Sequence, residues 1–122
     1  TEREAWVRET LSYLTDAVAD LPGDPVPLYL LGRRLSLERR HREALGPLRS
    51  ALGLLQGPEH GLSPVTAQLI REETLRLEGV SLLEVGQSQA AALRFEQLAE
   101  GSTWTGRARR LREWAERARW KK

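Results

Sequence analysis

Leu28-Tyr29-Leu30-Leu31-Gly32-Arg33-Arg34-Leu35 is answered later in the chain by Leu75-Arg76-Leu77-Glu78-Gly79-Val80-Ser81-Leu82. In each stretch a leucine stands four residues before the glycine and another three residues after it, the spacing of one helix face. The agreement continues downstream. Ala44 lies twelve residues after Gly32 and Ala91 twelve after Gly79, and four residues beyond each alanine comes a large apolar residue, Leu48 or Phe95. A glycine on one helix facing an alanine on the next lets two antiparallel helices approach closely, with the large residues filling the seam. The spacing predicts two copies of one helical hairpin, with Gly32, Ala44, Leu48, Gly79, Ala91 and Phe95 as their structural residues.

Working outward, Val7, Leu11, Leu14 and Val18 recur at steps of four, three and four and predict a first helix. It stops at Leu21-Pro22-Gly23-Asp24-Pro25, where the prolines lack amide donors and Asp24 can cap the helix that follows. Pro25 and Pro27 suit the first turn of that second helix, which ends around Arg39 to His41. Ala44, Leu45, Leu48, Ala51, Leu52 and Leu55 mark a third helix, with Pro47 expected in or near its first turn. After a loop at residues 57–61, Ser63-Pro64 opens a long fourth helix that ends near Gly86. A fifth presents Ala91, Leu93, Phe95 and Leu98, and a sixth presents Ala108, Leu111, Trp114, Ala115 and Ala118. The expected fold is all-α: one domain over residues 1–122, with an N-terminal helix or half repeat (1–21), a repeat (25–56), a second repeat with an extended first helix (63–100) and a C-terminal capping helix (104–120).

The combined pattern resembles the tetratricopeptide repeat, whose signature W-x-x-L-G-x-x-Y, then A-x-x-x-F, then P spans about 34 residues as helix, turn and helix. Two departures stand out. Arg39 occupies the turn position where the family prefers a small residue, matched by Gly86 in the second copy, and Glu78 stands where an apolar residue is usual, implying a slightly rotated second copy. The glycines are 47 residues apart, an excess assigned to the loop at 57–61 and to an extension over residues 63–71. Upstream, Leu14, Ala17 and Pro22 fall where the second helix of an earlier repeat would place them.

The resemblance implies a tetratricopeptide-like α-solenoid whose first helices line a concave, partner-binding groove. The matching contact positions are Val26, Tyr29, Arg33, Ser36 and Leu37 in the first copy, and Glu73, Arg76, Val80, Leu83 and Glu84 in the second. The implied partner is a protein or peptide, and the implied role is an interaction module within a larger regulator or assembly factor. Arg33 with Tyr29 four residues before it is placed to grip a carboxylate or an extended backbone. In the branch that grips chaperone C-termini, lysine and asparagine stand where Tyr29 and Arg33 are, so chaperone-tail binding is not expected.

Composition agrees with a single soluble domain. The 122 residues are 40% hydrophobic and 30% charged, enough for one continuous core. No run approaches the roughly 18 apolar residues of a membrane span, and TEREAW at the N-terminus is not a secretory leader. The cytoplasm is therefore the favoured compartment. Absence of cysteine excludes disulfides, thiolate metal sites and cysteine nucleophiles. Absence of methionine, even at position 1, leads us to expect a piece of a longer protein. The net charge of +2 hides alternating blocks: −4 over residues 1–32, +4 over 33–49, −4 over 50–100 and +6 over 101–122. Such alternation suits stacked elements that complement their neighbours, whereas nucleic-acid binders concentrate one basic face.

No catalytic motif is present, so neither enzyme activity nor a cofactor nor a bound metal is expected. His41 and His60 fall in expected turns, read as solvated, without partners at metal-ligand spacing. Glu72 and Glu73 are adjacent on a helix and diverge by about 100°, too far to share a proton. The last helix has two readings. Arg107, Arg109, Arg110, Arg112, Arg117, Arg119, Lys121 and Lys122, with Trp104, Trp114 and Trp120, would suit nucleic acid or an acidic lipid surface, while the stripe through Leu111, Trp114, Ala115 and Ala118 suits a terminal cap that shields Trp114. Trp120 lies outside that stripe.

Overall fold

Pro25 and Pro64 each open a helix behind a capping side chain, and these two starts set the register of both hairpins. Asp24 Oδ1 accepts from the Val26 amide at 2.9 Å, and Ser63 Oγ accepts from the Thr66 amide at 3.2 Å. The computed structural model describes residues 1–101 and 105–120, the side chains of 105–108 and 111 excepted. Its six helices are α1 (Glu2–Asp20), α2 (Pro25–Leu37), α3 (His41–Gln56), α4 (Pro64–Glu84), α5 (Ser88–Glu100) and α6 (Thr105–Trp120), with no strand among the described residues. Each packs on the next in sequence, and α2 also packs on α4.

The two hairpin turns match bond for bond. In the first, the amides of Glu38, Arg39 and Arg40 donate to the carbonyls of Arg34, Ser36 and Leu35; in the second, Val85, Gly86 and Gln87 donate to Ser81, Leu83 and Leu82. The last two bonds of each set form the Schellman motif, which satisfies the final carbonyls of a helix. That motif needs a left-handed residue just past the helix end. Gly86 supplies it at φ 86°, and Arg39 adopts the same region at φ 61°. The arginine that departs from the sequence pattern therefore takes the glycine's conformation.

Both hairpins close on their glycines, although not against the expected partner. A Cβ on Gly32 would lie 2.5 Å from Leu48 Cδ2, and one on Gly79 would lie 2.7 Å from Phe95 Cε1. The glycines face the large residues, while Ala44 and Ala91 are fully buried one turn away. The hairpins are joined by apolar contacts. Leu77 of α4 packs with Leu35, Ala44 and Leu48, while Leu45 of α3 joins the cluster of Leu82, Ala91 and Phe95. Ala92 of α5 and Ala115 and Ala118 of α6 belong to the same cluster, where small side chains let α6 approach closely.

Charges link elements across the blocks. Arg3 of α1 makes a bidentate pair with Glu38, both bonds at 3.1 Å, and this holds Glu38 below its usual carboxylate range. Arg119 of α6 pairs with Glu96 of α5. Trp6 of α1 lies under the guanidinium of Arg34, 4.8 Å from the ring centroid. The Arg3–Glu38 and Trp6–Arg34 contacts hold α1, which buries none of its residues completely.

Several expectations are corrected. Pro47 sits in the second turn of α3, and the carbonyl it cannot bond, that of Glu43, belongs to an exposed residue near the helix start. His41 begins α3, and its Nδ1 lies 3.1 Å from Oγ of the buried Ser81. His60 Nδ1 accepts from the Leu62 amide at 3.1 Å, so both histidines are held by neighbours. Leu93 is exposed. Trp114 is 43% exposed, packed edge-on against Phe95 with ring centroids 5.8 Å apart. Trp104, Lys121 and Lys122, and the side chains of Arg107, Ala108 and Leu111, lie outside the described residues.

Candidate partner-binding surface

Helical spacing lines up two rows on the packed pair α2 and α4. Val26, Tyr29, Arg33 and Leu37 follow one another at steps of three, four and four along α2; Leu69, Glu73, Arg76, Val80 and Leu83 follow at steps of four, three, four and three along α4. Of the expected contact residues, Arg33, Leu37 and Glu84 are exposed, and Val26, Tyr29, Glu73, Arg76, Val80 and Leu83 are half-buried. Ser36 is buried, which removes it from any contact surface. Lying four residues after Gly32, it shares the glycine's inward face.

The rows meet at Tyr29. Its hydroxyl titrates above the ordinary 10.0 because burial disfavours the phenolate and Glu73 repels it, while Arg33 and Arg76 pull the other way. All four residues therefore share one neighbourhood. Arg76 is already engaged, since its Nη2 and Nε donate to the two oxygens of Glu73 at 2.8 and 3.1 Å. Arg33 keeps an exposed guanidinium. The centre of the surface is thus a half-buried phenol beside the exposed Arg33 and the Glu73-paired Arg76.

Toward α6 the surface turns apolar. Val80, Leu83, Phe95, Trp114, Ala118 and Arg117 line a recess of about 250 Å³. Phe95 forms part of the buried core, Trp114 stands against it as a half-exposed wall, and exposed Arg117 borders the opening. Sequence reasoning placed Val80 and Leu83 here but not Trp114 and Arg117, which α6, packed on α5, brings to the same recess. The signal available was the i, i+3 spacing of Trp114 and Arg117.

Part of the basic helix faces acidic side chains of the fold's own surface. Arg112 and Arg119 border a cleft with Glu96 and Glu100 of α5 and Glu116, and the Trp120 indole donates to Glu116 Oε1 at 3.0 Å. Arg109, Arg110, Arg112, Arg117 and Arg119 are all exposed. Among the described residues no group of three His, Cys, Asp or Glu is placed to hold a metal ion, and no helix is long and apolar enough to cross a membrane. Compared with protein-family models, with curated proteins and with solved structures, the chain matches none of them.

Proposed function

We propose that this chain is a tetratricopeptide-like interaction module that holds a peptide segment of a partner protein along α2, α4 and α6. The observation that carries the reading is the apolar recess between Val80, Leu83, Phe95 and Trp114, continuous through α4 with the Tyr29, Arg33 and Arg76 neighbourhood. An apolar recess with a few polar groups at its edge is the usual form of a recognition site. Arg117 at the opening and Arg33 further along favour a partner that sets a large apolar side chain beside acidic residues. The matching turns and glycine contacts of the two hairpins support the repeat assignment. The pairing of Arg119 with Glu96 supports a capping role for α6 over nucleic-acid binding.

A peptide-display selection against the intact chain tests this. Enriched peptides should pair a large apolar residue with Asp or Glu, and they should lose affinity for Leu83→Asp and for the Arg33→Glu, Arg76→Glu double variant while circular dichroism stays unchanged. Peptides that bind all variants like the wild type would sink the groove reading. Tight binding of generic DNA that falls steeply with salt and survives both variants would point instead to the basic helix.

A further inference from the structure

On the other flank of α4, away from the proposed groove, three helices converge on a second cavity of about 250 Å³. Arg49 and Gly53 of α3, Arg71, Leu75 and Glu78 of α4, and Arg94 of α5 border it. Glu78 is completely buried. Its Oε1 receives Arg94 Nε at 3.0 Å and Arg49 Nε at 3.5 Å. Its Oε2 has no hydrogen-bond partner among the described residues. A buried carboxylate oxygen without a donor is costly and rare, so this atom asks for one. Arg71 adds a third guanidinium that Glu78 does not engage, and the cavity carries more positive than negative charge.

Two demands follow. The arginines favour a negative ligand, and Oε2 favours a hydrogen-bond donor. An amine or a metal cation meets the second and is repelled by the first. A fully deprotonated oxyanion such as sulfate meets the first and sets lone pair against lone pair at Oε2. Hydrogen phosphate meets both, because one oxygen keeps its proton and three others remain for three arginines. We propose that this cavity binds a phosphate oxyanion that retains a proton, with its P–OH donating to Glu78 Oε2 and its other oxygens on Arg49, Arg71 and Arg94. The source is either free phosphate or the phosphoryl group of a larger molecule, which with one oxygen esterified and one protonated leaves two oxygens for the three arginines to share.

Isothermal titration of the intact chain with inorganic phosphate, O-phosphoserine and sulfate, at matched pH and ionic strength, tests the proposal. Phosphate or the phosphomonoester should bind at least about tenfold more tightly than sulfate, the worth of one charge-assisted hydrogen bond. Tighter binding of the free ion identifies phosphate itself, and tighter binding of the ester identifies a phosphoryl group. Glu78→Gln replaces the acceptor by a carboxamide donor and should erase the preference over sulfate. Should that variant fail to fold, Arg71→Gln and Gly53→Leu decide. Arg71→Gln should weaken binding about tenfold. A Cβ on Gly53 meets open space, so a leucine there should occlude the cavity without disturbing its neighbours. Equal affinity for phosphate and sulfate, no binding of either phosphate species, or wild-type binding by both of these variants would overturn the proposal.

Discussion

Gly79 and Phe95 are in contact so close that a Cβ on the glycine would lie 2.7 Å from Cε1 of the ring. Phe95 is 1% exposed and Trp114 stands across its edge, so the ring can give way only toward the recess it borders. Gly79→Ala should therefore destabilise the protein by about 1–2 kcal/mol, overpacking outweighing the gain in helix propensity. Gly79→Leu should cost more. Urea denaturation of Gly79→Ala, Phe95→Leu and the double variant forms a cycle in which the smaller side chain recovers part of the loss. Additive losses would mean that the two residues do not meet.

Arg39 and Gly86 make opposite predictions from one geometry. A left-handed conformation is strained for arginine and natural for glycine. Arg39→Gly should stabilise by roughly 0.5–1 kcal/mol after the glycine's extra unfolded-state entropy is counted, and Gly86→Arg should destabilise by a similar amount. Denaturation midpoints measure both, and a destabilised Arg39→Gly variant would contradict the turn geometry.

Tyr29 should release its proton above the ordinary 10.0. Because the folded value is raised, folding stability is unaffected below the unfolded value and is lost as pH rises through the folded one. Ultraviolet absorbance of the phenolate, followed in a Tyr13→Phe background, reports Tyr29 alone. Glu73→Gln should bring its titration down toward the ordinary value, and Arg33→Gln should push it further up. No response to Glu73→Gln would separate α2 from α4.

Removing residues 102–122 should uncover the faces of Ala91, Ala92 and Phe95 that pack with Ala115 and Ala118. A large drop in melting temperature and self-association detected by light scattering are expected from the apolar surface so uncovered. A monomer with an unchanged melting temperature would make α6 a detachable element. In the whole chain, acrylamide should reach Trp120, 78% exposed, more readily than Trp6 at 51% or Trp114 at 43%. Single-tryptophan variants separate the three.

The hairpins were legible because glycine, the buried alanine and the large residue four positions on sit at fixed local spacings, and local spacing is what a sequence displays directly. Trp114 was misplaced for a related reason. Ala115 and Ala118 mark the line of closest approach to α5, and Trp114, one residue off that line, is turned to the edge of the seam. Glu78 reads in sequence as a flaw in an apolar pattern, and its meaning depends on Arg49, 29 residues earlier on α3, and on Arg94 of α5. Likewise His41 looks like a loop residue until α4 brings Ser81 to it, 40 residues away. The rows on α2 and α4 followed from helix periodicity, but the recess needed α6 packed on α5.

The segment from Gly57 to Leu62 crosses the outside of the molecule, with Pro58, Glu59 and Gly61 exposed, and what unites the hairpins lies elsewhere, in Leu45, Leu77 and the His41–Ser81 contact. Peptide continuity at that crossing is thus separable from assembly. A protease that nicks the chain beside Gly61 should leave two fragments that co-elute as one particle. Length can be gained or lost there without altering either hairpin, and the 47-residue offset between the glycines places its surplus partly there and partly in the longer start of α4, where Pro64 stands 15 residues before Gly79 against 7 from Pro25 to Gly32.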